Sequence, residues 1–469
     1  MTKLLFIAHY FPPDGGAGVQ RALKFVQYLP AEGFLPVVLT GPVSRDYRWT
    51  PHDYTLLNAI PPYVPVHRTE ERPPETDGKL RSRTERLLAL PTPFARWWVP
   101  ATVDLGVRVV QEEAFIFATM SPFASGEAAR RLSLRLGIPW VADLRDPWAL
   151  DEMQVYLSAW HRRLELRKME QLLSTAALIV MNTPEAGKAL QSAFPRLHQP
   201  LAVITNGYDG QDFTAPIAPR SDGKFRIVHS GYLHTDRGMQ VRRRGIYRLL
   251  GGVHPSVDIL TRSHTVLLDA VARWCEQTPE LRKKVEIVLA GKASEQDHAA
   301  ASRSPVASLI RFPGYLPHEQ SLELVRTADL LFLPMHNLPP GERSRVVPGK
   351  TYEYMAAARP ILAAVPDGDA RDFLARCGMA FLCRPEDVRS MIEILRHVYS
   401  AWCNRNPLSK CNWEFVRTFE RQTLTRKLAA AFRSLPAKAT PKRQRTSQAD
   451  LAPSCGSGCL ACGPHSGAV

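Results

Sequence analysis

Short apolar runs alternate with amphipathic stretches along the first part of the chain. The apolar runs, each typical of a buried parallel strand, are residues 3–9, 36–40, 115–119, 140–143, 178–181 and 201–205. Between the first two runs, one face of a predicted helix carries Ala22, Phe25, Val26 and Leu29. Strands that alternate with helices in this way predict a parallel sheet with helices on both faces.

A second series of apolar runs begins after a polar segment rich in Pro and Gly. These runs are residues 225–230, 285–290, 310–312, 330–333 and 360–363. The polar segment, residues 209–224, is typical of an interdomain linker. The two series predict an α/β fold with two Rossmann-like, doubly wound parallel-sheet domains, residues 1–208 and 225–404, that face each other across a cleft.

Three stretches lack the apolar spacing that a packed element needs. Residues 68–86 form a charged loop, residues 237–262 an insertion rich in Arg and Gly, and residues 434–469 a tail that we expect to be disordered. The tail carries four potential zinc ligands, Cys455, Cys459, Cys462 and His465. Because Gly, Ser and Ala surround them and no core is present, we expect an unstructured tail and no metal.

The chain is basic. Its 469 residues include 60 Lys and Arg against 45 Asp and Glu, a formal net charge of +15. This balance favours anionic partners, namely nucleic acid, a membrane surface or phosphate-bearing small molecules. No apolar run approaches the roughly 20 residues of a membrane span, and the first run is too short for a secretion signal. None of the eight cysteines precedes Cys275, so we expect a cytoplasmic location.

A glycine loop follows the first predicted strand and precedes the first predicted helix. Gly16 and Gly18 begin a G-x-G-x-x-G spacing, but Arg21 occupies its sixth position. The second predicted strand ends without the carboxylate that binds a ribose in NAD enzymes, so NAD is disfavoured. Two interpretations of Gly16 stay open: a tight turn that needs positive φ, or a close approach of backbone amides to an anion or a sugar.

Three charged residues, Asp143, Arg145 and Asp146, lie at the end of a run that is otherwise apolar. The carboxyl ends of strands are where open α/β sheets bind ligands. These side chains either bind sugar hydroxyls or pair with one another in a structural network. Their crowding at the end of a buried strand favours ligand binding.

Lys350 gives a stronger signal for phosphate binding. Pro348 and Gly349 form a turn, and a helix is predicted from about residue 350 to 358. Its first turn offers free N–H groups, the positive end of the helix dipole and the Lys350 ammonium group. Glu353, one turn later, can accept hydrogen bonds from both hydroxyls of a ribose. The alternative, a favourable acidic charge in the first turn, does not explain Lys350.

Two loops of the second domain provide further candidates. Gly231 follows the run 225–230, and Arg237 in the same loop can contact a pyrophosphate. Arg242 is either a second such group or a solvated charge of the insertion. Tyr315 lies in a turn whose backbone either reads the edge of a base or forms a plain turn.

Four motifs together carry a resemblance to a known family. They are residues 10–18 (YFPPDGGAG), 139–148 (PWVADLRDPW), 205–209 (TNGYD) and 348–355 (PGKTYEYM). Over about residues 1–430 the chain resembles a GT-B glycosyltransferase of the large retaining group called glycosyltransferase family 4. The resemblance implies a nucleotide-sugar donor on the second domain, an acceptor on the first, and a helix within residues 405–433 that crosses back to the first domain.

The resemblance also implies a role for each candidate residue. Arg and Lys side chains and helix dipoles are expected to stabilise the departing diphosphate, with no metal and no cofactor beyond the donor substrate. The residues so assigned are Arg237, Lys350 and Asp146 for catalysis, Gly16, Gly231, Tyr315 and Glu353 for the nucleotide-sugar, and Asp143 and Arg145 for the acceptor. The family pairs two glutamates eight positions apart, and Arg345 occupies the first of these positions.

Because Arg345 stands where the family has the first of its two glutamates, functions other than glycosyl transfer stay open. One is a catalytically inactive scaffold, and another is a nucleotide-sugar 2-epimerase, which needs carboxylates around the donor sugar. The net charge raises a third, a nucleic-acid-binding protein. We expect no nucleic acid partner, because the basic residues lie mainly in the insertion and the tail without interleaved aromatic residues.

Members of the resembled family often build surface polysaccharides on lipid-linked acceptors. The resemblance therefore implies cell-surface polysaccharide or glycolipid synthesis with a sugar or lipid-linked sugar as acceptor. Trp97 and Trp98 lie next to Arg96 and near the basic loop 79–83. This combination predicts peripheral contact with an anionic membrane at its inner face. The alternative is that both tryptophans pack in the core of the first domain.

Overall fold

Two parallel β-sheets, each covered by helices, form the protein. The computed structural model describes residues 1–43, 51–71, 84–85, 87–218, 220–243, 245–254 and 256–435. In these ranges the ladders between the named strands of both sheets are parallel. The predicted architecture of two parallel-sheet α/β domains is confirmed.

The first sheet has seven strands. They are β1 Thr2–Ile7, β2 Phe34–Thr40, β3 Val66–Arg68, β4 Phe115–Thr119, β5 Trp140–Leu144, β6 Leu178–Met181 and β7 Leu201–Val203. Their order is β3-β2-β1-β4-β5-β6-β7, so the direction of winding reverses beside β1. Such a reversal opens a crevice at the carboxyl ends of the strands. The glycine loop follows β1 and therefore borders this crevice.

The second sheet has six strands. They are β8 Phe225–Ser230, β9 Val285–Ala290, β10 Ile310–Gly314, β11 Leu330–Pro334, β12 Ile361–Ala364 and β13 Ala380–Cys383. Their order is β10-β9-β8-β11-β12-β13, and the reversal lies beside β8. The loop that carries Gly231 follows β8, and Arg237 lies in the helix Thr235–Arg243 that comes after this loop. Each sheet therefore places a predicted ligand loop at its own reversal point.

Helices cover both faces of each sheet. In the first domain they are Ala17–Tyr28, Pro93–Val109, Ala124–Leu136, Ala159–Leu173 and Pro184–Ala193. In the second domain they are Thr235–Arg243, Gly245–Leu249, Thr265–Gln277, Leu281–Lys284, Glu295–Ser302, His318–Arg326, Lys350–Ala356, Asp369–Cys377 and Val388–Cys403. Alternate residues of β1 face opposite cores, Leu5 and Ile7 on one side and Leu4 and Phe6 on the other. Burial on both sides explains why the strands are continuously apolar.

The last helices connect the two domains. Trp413–Val416 packs with the second domain, whereas Arg421–Arg433 packs with the first. Leu424, Leu428 and Phe432 belong to the same core as the strand residues of β1, β2 and β4. The ring centroids of Phe115 and Phe432 are 4.9 Å apart. The final helix therefore completes the core of the first domain.

The expectation of a loosely ordered insertion at 237–262 is wrong. This stretch contains most of the helix Thr235–Arg243, the helix Gly245–Leu249 and a 3₁₀ turn, Ile259–Thr261. Val241, Val257 and Ile259 are buried in a small apolar cluster with residues of both domains. The apolar residues are sparse among the arginines, so the sequence pattern concealed this cluster.

Several expectations fall on residues that the structure does not describe. The zinc-ligand spacing at Cys455, Cys459, Cys462 and His465 lies outside the described residues, as do the basic loop 79–83 and most of the tail 434–469. Among the ranges given above, no helix combines the length and the apolar character of a membrane span.

Candidate functional site

Three neighbouring strands of the second sheet, at and next to its reversal point, end in glycine or are followed directly by glycine. Gly231 after β8, Gly291 after β9 and Gly314 at the end of β10 have φ values of 115°, 123° and 80°. A Cβ atom on Gly231 would lie 2.8 Å from Lys350 Nζ. Glycine is therefore required at 231 both for its positive φ and for the space that Lys350 occupies. Gly231 and Lys350, two separate candidates from the sequence, therefore lie next to each other.

Lys350 begins the helix Lys350–Ala356, and its ammonium group reaches back to β8. Lys350 Nζ is 2.9 Å from His229 Nε2, and His229 Nδ1 is 3.0 Å from the Phe332 carbonyl oxygen. Since the carbonyl can only accept, His229 Nδ1 donates to it and Nε2 accepts from Lys350. Burial, followed by repulsion from Arg262, lowers the pKa of Lys350 to about 7. An anion bound here would restore its charge.

Arg237 and Arg262 converge on one residue of the first domain. Arg237 Nη2 donates to the Met153 carbonyl at 2.7 Å, and Arg262 Nη1 lies 3.3 Å from Met153 Sδ. Burial lowers the pKa of Arg262, and attraction from Asp151 and Asp146 opposes this. Arg237, Arg262 and Lys350 thus form a cluster of three cations at the cleft between the domains, and Arg262 was missed by the sequence analysis. The apolar spacing of the helix Thr265–Gln277 places Arg262 in the loop before a helix, a signal that could have identified it.

Arg242, the sequence candidate for a second basic residue, lies elsewhere. Its guanidinium pairs with Asp258 at 2.5 Å on the surface, with 53% of the Arg242 side chain exposed. The phosphate role considered for Arg242 is therefore not supported by its position, and Arg262 occupies the cleft instead.

Glu353 lies one turn into the same helix as Lys350. Burial raises the pKa of its carboxyl group, and the nearby His318 and Arg421 oppose this shift. His318 Nε2 donates to Asp212 at 2.9 Å, and Arg421 begins the helix that returns to the first domain. No described side chain hydrogen-bonds to the Glu353 carboxylate, which leaves its oxygens available to a ligand.

The glycine loop of the first domain is filled by side chains that reach it from two directions. Gly16 has a φ of 84° at the start of the helix Ala17–Tyr28. A Cβ atom on Gly15 would lie 2.8 Å from Tyr315 Oη, and one on Gly18 would lie 2.9 Å from Arg145 Nη2. Tyr315 therefore reaches across the cleft onto the first domain. The tight turn at Gly16 is confirmed, and a role in binding the donor stays a prediction.

The assignment of Asp143 to the acceptor is wrong. Its side chain is fully buried and accepts from Arg21 Nη2 at 2.6 Å and from Arg21 Nε at 3.0 Å. Arg21 also donates to the carbonyls of Ile204 and Thr205 at 2.9 and 2.8 Å. This ion pair joins the first helix, β5 and the segment after β7. Arg21, which occupies the sixth position of the G-x-G-x-x-G spacing, is thus the ion-pair partner of Asp143.

Arg145 and Asp146 lie closer to the cleft. Arg145 Nη1 donates to the Gly18 carbonyl, and only 15% of the Arg145 side chain is exposed. Asp146 has 51% of its side chain exposed. Desolvation by the surrounding protein nevertheless raises the pKa of its carboxyl group, and the positive charges of Arg145 and Arg262 oppose this shift. A water-accessible carboxyl group enclosed by protein is typical of a cleft wall. Arg145 contacts the glycine loop, and Asp146 is the more exposed of the two side chains, so its role toward a ligand stays a prediction.

A buried polar cluster ties the domains together next to Arg345. Glu152 Oε1 accepts from His336 Nε2 at 3.0 Å and from Ser344 Oγ at 2.6 Å. Burial raises the pKa of Glu152, but these hydrogen bonds lower it to about 2 overall. Arg345 Nη1 donates to the Leu150 carbonyl at 2.8 Å. Arg345 therefore supports the contact between the domains.

The two tryptophans proposed to contact a membrane lie in the first domain. Trp98 is fully buried, its Nε1 donates to Ser125 Oγ at 3.3 Å, and its ring packs 4.4 Å from that of His9. Trp97 is partly buried against the same core. The burial of Trp98 supports the alternative of core packing for this residue, because the helix Pro93–Val109 turns it toward the sheet. Membrane contact by the protein stays a prediction.

Residues 259–401 match the family model described as glycosyl transferases group 1. The match lies within the second domain. The matched region contains Arg262, Lys350 and Glu353, and it supports a glycosyltransferase. Among proteins with curated descriptions, none matches this chain in sequence.

Solved structures extend the likeness in fold to nearly the whole glycosyltransferase. HepE of Anabaena, in complex with UDP and glucose, is 19% identical with a TM-score of 0.58, over 93% of this chain and 100% of that one. Sucrose-phosphate synthase of Thermosynechococcus elongatus is 15% identical with a TM-score of 0.60, over 93% and 99%. The α,α-trehalose 6-phosphate synthase of Burkholderia multivorans is 12% identical with a TM-score of 0.57, over 92% and 96%. The predicted GT-B fold is confirmed.

Proposed function

We propose that this glycosyltransferase moves a sugar from a nucleoside diphosphate donor on the second domain to an acceptor on the first. The observation that carries the proposal is the cluster of Arg237, Arg262 and Lys350 at the glycine-bordered end of β8. Three cations beside an open backbone fit a diphosphate. Glu353, on the same helix as Lys350, is positioned for the ribose hydroxyls.

The cations act on the leaving group. When the bond between the anomeric carbon and the diphosphate oxygen breaks, negative charge grows on the outer phosphate. Groups held in place before the reaction stabilise this charge more than that of the intact donor, which lowers the barrier. We propose transfer with retention at the anomeric carbon and without a metal ion, with Arg237, Arg262 and Lys350 supplying the stabilisation.

Asp146 and Arg345 define the sugar side of this proposal. Asp146 faces the cleft near Arg262, so we assign its carboxyl group to a hydroxyl group of a reacting sugar. Arg345 replaces a carboxylate of the resembled family and is engaged with the Leu150 carbonyl. The contacts to the donor sugar therefore come from other groups, and the sugar preference differs from that of enzymes with both glutamates.

The acceptor completes the proposal. Following the resemblance, we propose that the enzyme works in the cytoplasm in the assembly of cell-surface polysaccharide or glycolipid, on a sugar or lipid-linked sugar. The HepE structure contains UDP, which supports UDP-sugars as the first donors to test.

Donor binding is tested with the full chain and UDP-glucose, GDP-glucose and ADP-glucose. A donor at 100 times its Kd is expected to add about 2.7 kcal/mol to the free energy of unfolding, visible as a higher melting temperature. Lys350→Ala and Arg237→Ala are expected to lower kcat more than they weaken donor binding, because the charge peaks in the transition state. Arg242→Ala is the matched control. A rise in donor KM at constant kcat, or no shift with any donor, contradicts the proposal.

A further inference from the structure

His229 is a polar residue on a face of β8 that is otherwise apolar. Phe225 and Ile227, which precede it on that face, belong to the core of the second domain. His229 is only 2% exposed, and both of its ring nitrogens have partners. Nδ1 is 3.0 Å from the Phe332 carbonyl oxygen, and Nε2 is 2.9 Å from Lys350 Nζ. An apolar side chain would satisfy the packing at this position, so the two hydrogen bonds are what the imidazole adds.

These hydrogen bonds fix the protonation state of His229. The Phe332 carbonyl can only accept, so Nδ1 carries the hydrogen and Nε2 offers a lone pair. Burial, followed by repulsion from Lys350, lowers the pKa of His229 well below its usual value. The ring therefore stays neutral beside a charged lysine, and Nε2 accepts a hydrogen bond from Lys350 whether the amine is charged or neutral.

The contact with His229 gives the Lys350 side chain one direction. A lysine has a flexible four-carbon stem and a compact charge, and nothing in its own chemistry sets where the amine points. Among the described residues, His229 is the one acceptor of a hydrogen bond from Lys350 Nζ, and Gly231 leaves the space in which the amine lies. When the amine is protonated, its other two hydrogens stay available to an anion in the cleft.

A second hydrogen bond joins the same helix to β8, four residues after Lys350. Tyr354 is fully buried, and its Oη accepts from the Ser230 backbone N–H at 2.9 Å. Residues four apart lie on one face of a helix, so Lys350 and Tyr354 both face the end of β8. Tyr354 fixes the position of the helix, whereas His229 fixes the end of a side chain. The two contacts can therefore be removed separately.

We propose that His229 is a positioning residue, whose Nε2 keeps the Lys350 amine beside Gly231 and directs it at the outer phosphate of the donor. Glu353, one turn later on the same helix, attracts this amine and is the partner it would otherwise turn to. His229 thus keeps Lys350 and Glu353 apart, and each remains available to the donor. The direction toward a phosphate rests on the proposed function, whereas the contact between Lys350 and His229 does not.

The contact is tested in the full chain without any donor. Lysine labelled with carbon-13 at the ε-carbon is followed by NMR as the pH is raised, and the signal absent from Lys350→Arg belongs to Lys350. His229→Asn keeps an amide donor for the Phe332 carbonyl but is too short to reach Lys350, whereas His229→Gln places an amide oxygen near the position of Nε2. A hydrogen bond to the charged form raises the pKa of an amine. The pKa of Lys350 should therefore fall in His229→Asn and return toward its original value in His229→Gln.

The other charged groups near this contact are unchanged in these variants. Arg262 and Glu353 act on Lys350, and His264 acts on His229. Burial lowers the pKa of His264 as well, so it stays neutral over the range in which Lys350 titrates. A change in the pKa of Lys350 therefore reports the side chain at position 229. An unchanged or higher pKa of Lys350 in His229→Asn overturns the contact.

The effect on the donor site is tested with UDP by calorimetry below about pH 7, where Lys350 is charged. His229→Asn should weaken UDP binding about tenfold, as expected when a charged hydrogen-bonding group is displaced. His229→Gln should recover most of this loss. Tyr354→Phe is the matched control, because it removes the contact with Ser230, leaves the Lys350 amine in place and should not change UDP affinity.

The same substitution in a Lys350→Ala background separates positioning from a structural role. If His229 acts through Lys350, His229→Asn should change UDP affinity no further once the amine is absent. An equal loss in both backgrounds, or an equal loss in Tyr354→Phe, overturns the positioning role. If the parent chain fails to bind UDP while the Lys350 signal still responds to position 229, the donor proposal fails and the contact stands. Melting temperatures establish that every variant is folded.

Discussion

The two sheets carry charged residues at equivalent places and use them in opposite ways. At the end of β5, Asp143 is fully buried and is neutralised by Arg21, which also satisfies two carbonyls. At the reversal point of the second sheet, Lys350 and Glu353 have pKa values shifted by burial and lack full compensation from protein groups. A buried charge is stable only with a partner. The first pair is a structural element, and the second cluster is the one that we propose binds a ligand.

The two regions contain similar charged residues, and they differ in how far other protein groups neutralise the buried charges. Both regions place charges at the carboxyl ends of strands, where α/β sheets bind ligands. The decisive question is whether the protein itself supplies the opposite charge. The following predictions separate the two regions, from the largest expected effect to the smallest.

Removal of Asp143 should have the largest effect on stability. Asp143→Ala leaves the Arg21 guanidinium buried without its counter-charge, and breaking a buried pair from one side costs about 3–5 kcal/mol of unfolding free energy. Urea denaturation measures this loss. Asp146→Asn, three residues later at a half-exposed site, is the control and should stay within about 0.5 kcal/mol of the parent chain. Equal losses for both variants would remove the distinction between a structural and a ligand-facing carboxylate.

Glu353→Ala should affect binding more than stability. The loss of hydrogen bonds between ribose hydroxyls and a charged carboxylate is expected to weaken UDP binding by about 1.5–3 kcal/mol. Isothermal titration calorimetry measures the affinity. Glu353→Gln keeps one acceptor oxygen, so its affinity for UDP should lie between those of the parent chain and Glu353→Ala. An unchanged affinity in a folded variant excludes contact with the ribose.

Lys350 should make UDP binding depend on pH. Its pKa in the free protein is about 7, so above that pH the amine is largely neutral and must take up a proton when the diphosphate binds. Affinity should therefore fall as pH rises from about 7 toward 9, by up to about tenfold per unit, or about 1.4 kcal/mol. Below about pH 7 this dependence should disappear, because Lys350 is already charged.

Lys350→Arg is the control for this pH profile. A guanidinium group stays charged throughout the range, so the variant should bind UDP with an affinity that is flat between about pH 7 and 9. Calorimetry in two buffers of different ionisation enthalpy measures the proton uptake directly. Proton uptake of equal size in the arginine variant would assign the titration to another group.

Arg242→Ala should have the smallest effect. The pair with Asp258 is exposed, and such pairs contribute roughly 0.2–1 kcal/mol at most. We expect little change in stability and none in UDP affinity, whereas Arg262→Ala should lower kcat clearly. Comparable losses of kcat in both variants would show that the Arg-rich stretch acts as a whole rather than through Arg262.

Local patterns predicted much of the fold. Continuous apolar runs located eleven of the thirteen strands to within about two residues at each end. The strands missed are β3, which has only three residues and includes His67 and Arg68, and the short edge strand β13. The helix at Lys350 was also predictable, since a Pro-Gly turn, a cation and an acidic residue at helical spacing are all local features.

The parts that could not be predicted depend on residues far apart in sequence. Arg21 and Asp143 are 122 positions apart, and no local pattern indicates that they meet. The same holds for Glu152 and His336, which join the two domains. The two interpretations of Trp98 could not be separated, because a tryptophan beside arginine has the same sequence pattern at a membrane surface as on a core-facing helix.

The final helix determines when the first domain can finish folding. Leu424, Leu428 and Phe432 close the apolar face that includes Phe34 and Phe115, yet these three residues are synthesised long after the rest of the first domain. Over the roughly 200 residues that separate β7 from this helix, a ribosome working at about 5–20 residues per second needs roughly 10–40 seconds. During that interval the nascent first domain exposes the aromatic residues of its sheet. We therefore expect the first domain to complete its core only after the second domain has been synthesised.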